Sequence, residues 1–189
     1  MSKKIRAFIA IPIENSVKKK IAEIQDNIKT NNNWEVKWVK PDNIHLTLKF
    51  LGDINSEDIN QVENSLVKSV KNIKKFSLKI KGVGVFPNLN KPRVIWVGIN
   101  DSNSLIKNLY KRIENNMHEI GFLKEKRSFN PHLTIGRIKN NILKSELKQT
   151  LIEYDQFNID FICDSVLLYK SVLKPTGSEY SVIADIPLT

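Results

Sequence analysis

Two stretches of this chain repeat one pattern, and any fold it adopts must accommodate both. Ile44-His45-Leu46-Thr47-Leu48 is matched by Pro131-His132-Leu133-Thr134-Ile135, with Leu between His and Thr and an aliphatic residue after each Thr. The chain holds only three histidines and six threonines, so two His-x-Thr units exceed what composition alone delivers. In an extended strand, residues i and i+2 share a face. Each histidine therefore stands beside its threonine, while the leucine and the following aliphatic residue turn to the core. Strict alternation places Ile44, Leu46, Leu48 and Phe50 on one face of the first strand, and His45, Thr47, Lys49 and Leu51 on the other.

The flanking segments alternate helices with hairpins. Lys4 to Ile11 reads as a buried strand ended by Pro12. A helix capped by Asn15 or Ser16 follows, with Val17, Ile21, Ile24 and Ile28 at helical spacing. Trp34, Val36 and Trp38 form a strand, and Pro41-Asp42-Asn43 turns the chain into the first motif, whose strand closes at Gly52-Asp53. Ser56 opens a second helix lined by Ile59, Val62, Leu66, Val70 and Ile73. Strands over 76–86 and 93–99 make a hairpin, and a third helix starts at Asp101, Ser102 or Asn103. Its core stripe is Leu105, Leu109, Ile113, Met117 and Ile120, with Gly121 as its stop and His118 at its surface. A basic loop, 124–130, leads to the second motif. A short helix around Leu147 and Leu151 and three strands complete the chain, the last two joined by Lys174-Pro175-Thr176-Gly177-Ser178. The order βαββαββαβαβββ predicts an α+β fold of antiparallel or mixed sheet with outer helices, one histidine in each half, and two similar lobes about a central cleft. No low-complexity linker divides residues 1–189, so a single bilobal domain is expected.

Bulk properties narrow the function classes. No signal peptide or membrane span is expected, and Cys163 is the only cysteine, which excludes an internal disulfide and fits a reducing cytoplasm. A net charge of +10 suits an anionic partner such as RNA or a nucleotide, although 25 of the 30 basic residues are lysines in a compositionally biased chain. Two histidines across a cleft can divide acid and base duties near neutral pH, with threonine hydroxyls as neutral donors to phosphate oxygens. That chemistry fits attack on a phosphodiester. Acyl transfer lacks a nucleophile, as there is no Gly-x-Ser-x-Gly elbow and Cys163 sits in an apolar strand. No zinc spacing, Walker loop or dinucleotide fingerprint is present, so neither metal nor cofactor is expected.

The paired motifs His45-Leu46-Thr47-Leu48-Lys49-Phe50-Leu51-Gly52 and His132-Leu133-Thr134-Ile135-Gly136-Arg137 resemble those of the two-histidine (2H) phosphoesterase superfamily. Within it the chain is similar to the RNA 2',3'-cyclic phosphodiesterases, also called 2'-5' RNA ligases of the LigT/ThpR type. The likeness extends through Arg6 to Ile11, Trp38 to Asn43, Arg93 to Gly98 and Leu168 to Tyr180. It implies a bilobal fold that opens a terminal 2',3'-cyclic phosphate of RNA to a 2'-phosphate without metal. By position it implies His45 as the general acid on the leaving 3' oxygen and His132 as the base activating water, labels the sequence leaves interchangeable. By the same resemblance Thr47 and Thr134 would grip the phosphate, and Arg137 would add charge to it. Arg137 lies five positions after His132, on the opposite face by strict alternation, unless a bulge at Gly136 turns it back.

Phe8, Phe50 and Trp96 are candidates for stacking a terminal base. Beside an RNA phosphodiesterase acting as a monomer on RNA ends stand three rivals: a small cyclic nucleotide or ADP-ribose cyclic phosphodiesterase, a 2'-5' ligase, and an RNA-end binding module without catalysis.

Overall fold

Among the described residues, helical and alternating stretches of the sequence become four α-helices and nine strands of one antiparallel sheet. The computed structural model describes residues 3–175 and 177–189; Met1, Ser2 and Thr176, the last within the expected final turn, lie outside the described residues. In chain order the elements are β1 (Lys4–Pro12), α1 (Asn15–Asn31), β2 (Val36–Trp38), β3 (His45–Asn55), α2 (Ile59–Val70), β4 (Phe76–Phe86), β5 (Val94–Asn100), α3 (Leu105–Glu119), β6 (His132–Ile138), α4 (Lys144–Glu153), β7 (Asn158–Cys163), β8 (Ser165–Lys174) and β9 (Gly177–Pro187). This is the order read from the sequence.

Helix boundaries differ from expectation where local hydrogen bonding decides them. α1 is entered from Glu14, whose side chain makes no capping bond, so the expected caps Asn15 and Ser16 lie inside the helix. The carboxylate of Asp101 accepts the amides of Ile106 and Lys107 at 3.1 and 3.0 Å, and so caps α3. Ser104 in a left-handed conformation (φ 56°) advances the register. The buried stripe accordingly begins at Ile106, and Leu105 is 40% exposed.

The sheet runs β7-β4-β5-β6-β3-β1-β8-β9, with β2 set off this path against β6. β1 pairs with β3 and β8, β5 pairs with β4 and β6, and among the described residues the one ladder pair between β3 and β6 is Leu46 opposite Leu133. Around this joint Leu46, Leu48, Leu133 and Ile135 are buried in one core with Ile21 and Ile24 of α1, Leu66 of α2 and Leu109 of α3. The helices therefore cover one face of the joint, and the motif side chains stand on the other, open face.

Both motif strands are bulged at the same place. Thr47 pairs with Ala10 and Lys49 with Ile9, which leaves Leu48 without a partner; Thr134 pairs with Trp96 and Gly136 with Ile95, which leaves Ile135 without one. An extra residue shifts the side-chain alternation by one. Lys49 consequently joins the buried face at 6% exposure, and Phe50 joins the open face at 70%, the reverse of the alternation read from sequence.

Candidate active site

At the joint, antiparallel strands meeting at Leu46 and Leu133 set His45 across from Thr134 and Thr47 across from His132. The two histidines are then diagonal neighbours on one face, a relation that sets residues about 7–8 Å apart.

Each ring is oriented the same way. His45 Nδ1 donates to the carbonyl of Asn43 at 2.8 Å, and His132 Nδ1 donates to that of Asn130 at 2.7 Å. A carbonyl can only accept, so the neutral rings carry their proton on Nδ1 and present Nε2 as the unprotonated nitrogen. The turn that supplies the first carbonyl is braced by its own side chain, Asn43 Nδ2 donating to the carbonyl of Ser178 at 2.8 Å.

The surroundings of the two rings differ. His45 is enclosed by Phe8 (ring centroids 4.7 Å apart), Tyr180 (5.3 Å) and Tyr169 (6.0 Å). Burial among these rings lowers its pKa to about 4, the hydrogen bond to Asn43 opposing the shift and the charge of Lys18 adding to it. His132 meets Phe86 edge-on at 4.9 Å and Trp96 at 6.5 Å. A cavity of about 480 Å³ opens beside it, lined by Trp96, Phe86, Gly98, Asn130 and Pro131 among others. The Trp96 indole lies flat against Gly84, where an added Cβ would sit 2.3 Å from its Cζ2.

Arg137 pairs with Val94 and lies on the face of Thr134 and His132, because the bulge at Ile135, rather than Gly136, restores it there. The carbonyl of Ile135 accepts the Val39 amide at 3.0 Å and one proton of the buried Gln25 amide at 2.8 Å; the other goes to the Val39 carbonyl, also at 2.8 Å. Gln25 thus ties α1 to the lead-in of the first motif and to the bulge of the second. Phe50 is exposed on the open face, its ring tilted against that of Phe8 with centroids 6.0 Å apart. Phe8 is 3% exposed, packed between His45 and Tyr169, so the expectation that it stacks a base gives way to a role as a wall of the His45 pocket.

Sequence reading missed Tyr169, Tyr180, Phe86 and Gln25, and it misplaced Lys49. Lys49 Nζ is 2.7 Å from Glu114 of α3 and donates to the Leu123 carbonyl at 2.9 Å, while the other Glu114 oxygen accepts the Glu125 amide at 2.9 Å. This buried pair fastens β3 to the loop that precedes β6. His118 is exposed, and burial pushes the Cys163 thiol up to about 12, far from a reactive thiolate. Among the described residues, no helix is long and apolar enough to cross a membrane.

Comparison with known proteins yields two family matches, each containing one His-x-Thr motif. The family described as LigT like Phosphoesterase fits the chain twice, over residues 11–96 and 97–180. The RNA 2',3'-cyclic phosphodiesterase of Methanocaldococcus jannaschii is 37% identical over 182 residues, covering 96% of this chain and 99% of the relative. The protein of the same name from Thermotoga maritima is 34% identical over 181 residues, covering 96% and 94%. The crystal structure of E. coli LigT complexed with 3'-AMP superposes with a TM-score of 0.81 at 23% identity, covering 99% of each chain. At that identity it speaks for the fold alone.

Proposed function

The chain belongs to the LigT-like phosphoesterase family, and from that premise we propose that it hydrolyses the terminal 2',3'-cyclic phosphate of RNA to a 2'-phosphate. The observation that carries the reading is the joint itself: two His-Thr pairs face each other across one bridge, each histidine held at Nδ1 with Nε2 left to the substrate. Relatives of 30–37% identity bearing the name RNA 2',3'-cyclic phosphodiesterase support the substrate class.

In this mechanism His132 Nε2 takes a proton from water as the oxygen attacks phosphorus. The bond from phosphorus to O3' breaks, and His45 Nε2 returns a proton to O3'. Thr47 and Thr134 donate hydroxyl hydrogen bonds to the non-bridging oxygens, and the Arg137 guanidinium offsets the charge that builds there. His45 is neutral in the empty site, so it acts as the acid only after taking up a proton together with the anionic substrate, whose charge in the same enclosed space favours the imidazolium. Phe50 offers a face to a base from one side and Trp96 from the other, where the cavity beside His132 is large enough for a nucleobase. We place the activity in a single bilobal domain with one motif per lobe, acting as a cytoplasmic monomer.

The test is hydrolysis of an RNA oligonucleotide ending in a 2',3'-cyclic phosphate, in EDTA, for the unaltered protein and for His45→Ala and His132→Ala. Opening to a 2'-phosphate, lost at least a hundredfold in either variant by the usual worth of an acid or base, is expected. Turnover untouched by either substitution would sink the proposal.

A further inference from the structure

β2 is only three residues long, and its ladder is with β6: Val36 opposite Ile138, Lys37 opposite Arg137, Trp38 opposite Gly136. It lies against β6 where β3 has already diverged, since among the described residues β3 pairs with β6 at Leu46 and Leu133 alone. Gly136 makes this seat, for an added Cβ there would come within 2.7 Å of Val36 Cγ1 and 3.1 Å of Trp38 Cε3. Val36 and Trp38 pack inward, and Lys37 stands out beside Arg137.

Directly opposed like charges on an antiparallel pair are destabilising. Neither side chain has a carboxylate partner among the described residues, and Glu35, on the same face, is engaged by Lys139 at 3.5 Å. The rung lies three positions beyond Thr134, on the order of 10 Å of strand from the threonine that faces the reacting phosphate. Two unneutralised cations side by side at that distance attract an anion, and along an RNA strand the next anion is the neighbouring phosphodiester.

Resting on the phosphodiesterase reading above, we propose that Lys37 receives the phosphodiester immediately upstream of the reacting end, with Arg137 spanning between it and the reacting phosphate. Lys37 thereby makes the site prefer a strand to a mononucleotide.

The experiment compares the affinities of a mononucleoside 2'-phosphate and of a trinucleotide ending in a 2'-phosphate, read by titration calorimetry for the unaltered protein, Lys37→Met and Lys37→Arg. Expected is an advantage of about tenfold for the trinucleotide, the worth of one charge-assisted contact, abolished in Lys37→Met and kept in Lys37→Arg. The salt slope for the trinucleotide should flatten by about 0.7 in Lys37→Met. Equal affinities in the unaltered protein, or an advantage that survives Lys37→Met, overturns the proposal. Turnover of the cyclic phosphate in the same preparations reports separately on the reaction, so the two readings fail by different signs.

Discussion

Acidification from pH 6.5 to pH 4 should cost this protein about 3 kcal/mol through His45 alone. Unfolded, the ring titrates at its ordinary 6.5; folded, burial among Phe8, Tyr169 and Tyr180 brings it to about 4. Above pH 6.5 it is neutral in both states and contributes no pH dependence. Between the two values the unfolded chain binds the extra proton, so stability falls as pH falls and levels off below 4. A span of 2.5 units at 1.36 kcal/mol each gives about 3.4 kcal/mol. For a chain of 189 residues this lowers Tm by roughly 7–14 °C. Carboxylates titrate over the same range, so the assay is the difference in thermal unfolding between the unaltered protein and His45→Gln from pH 4 to 7. A difference that stays flat with pH, or a His45 ring proton that titrates near 6.5 by NMR, would refute the reasoning. The same low pKa bears on catalysis. A pH–rate profile alone cannot allocate acid and base, because exchanging the proton between two coupled histidines leaves the limbs in place. Proton uptake on binding can: a 2',3'-cyclic phosphate added to the His132→Gln variant at pH 7 should shift the His45 resonances to the imidazolium position. An unshifted His45 would make it the base instead.

Three further experiments probe how the open face is built. Lys49→Met leaves Glu114 buried without its partner and should cost roughly 3–5 kcal/mol by urea denaturation, whereas Lys49→Met with Glu114→Leu should recover most of it; equal losses would mean the pair is not the cause. Gly136→Ala pushes a methyl into Val36 and Trp38 and should cost about 1–3 kcal/mol by the same measurement, with loss of the trinucleotide advantage as β2 lifts. Gln25→Met removes the support of the Ile135 bulge, so Arg137→Gln should lower kcat/KM much less in that background than in the unaltered protein, while purely additive losses would show that Gln25 serves stability alone.

How far the site was legible depends on which contacts are local. The alternation within His45-Leu46-Thr47 and His132-Leu133-Thr134 is a property of any strand, and the apolar stripes of α1 and α3 are properties of any helix, so both are readable without the fold. The partners of His45 are not. Tyr169 and Tyr180 reach it because β8 inserts beside β1, a neighbour relation across some 160 residues that no local pattern encodes. Lys49 and Phe50 exchanged faces because pairing with β1 forces the bulge at Leu48, and pairing is a tertiary fact. In α3 the one-residue shift from Leu105 to Ile106 came from the Asp101 cap, whose side chain could be named as a candidate but whose reach could not.

The two bulges also explain how a repeated motif yields a site with two unlike sides. In each strand the residue after Thr is extruded toward the core, and the third residue after Thr returns to the open face. On β3 that residue is Phe50; on β6 it is Arg137. The scaffold supplies the same His, Thr and returning position twice, and only the last differs in chemistry: an aromatic face on one side, a guanidinium on the other. A nucleotide has the same two unlike ends, a base that stacks and a phosphate that needs charge. Exact twofold repetition would have put the same chemistry at both returning positions. In the proposed reaction this difference at a single position per strand would set the polarity of the substrate between the histidines, and a fixed polarity would let one imidazole serve as acid and the other as base.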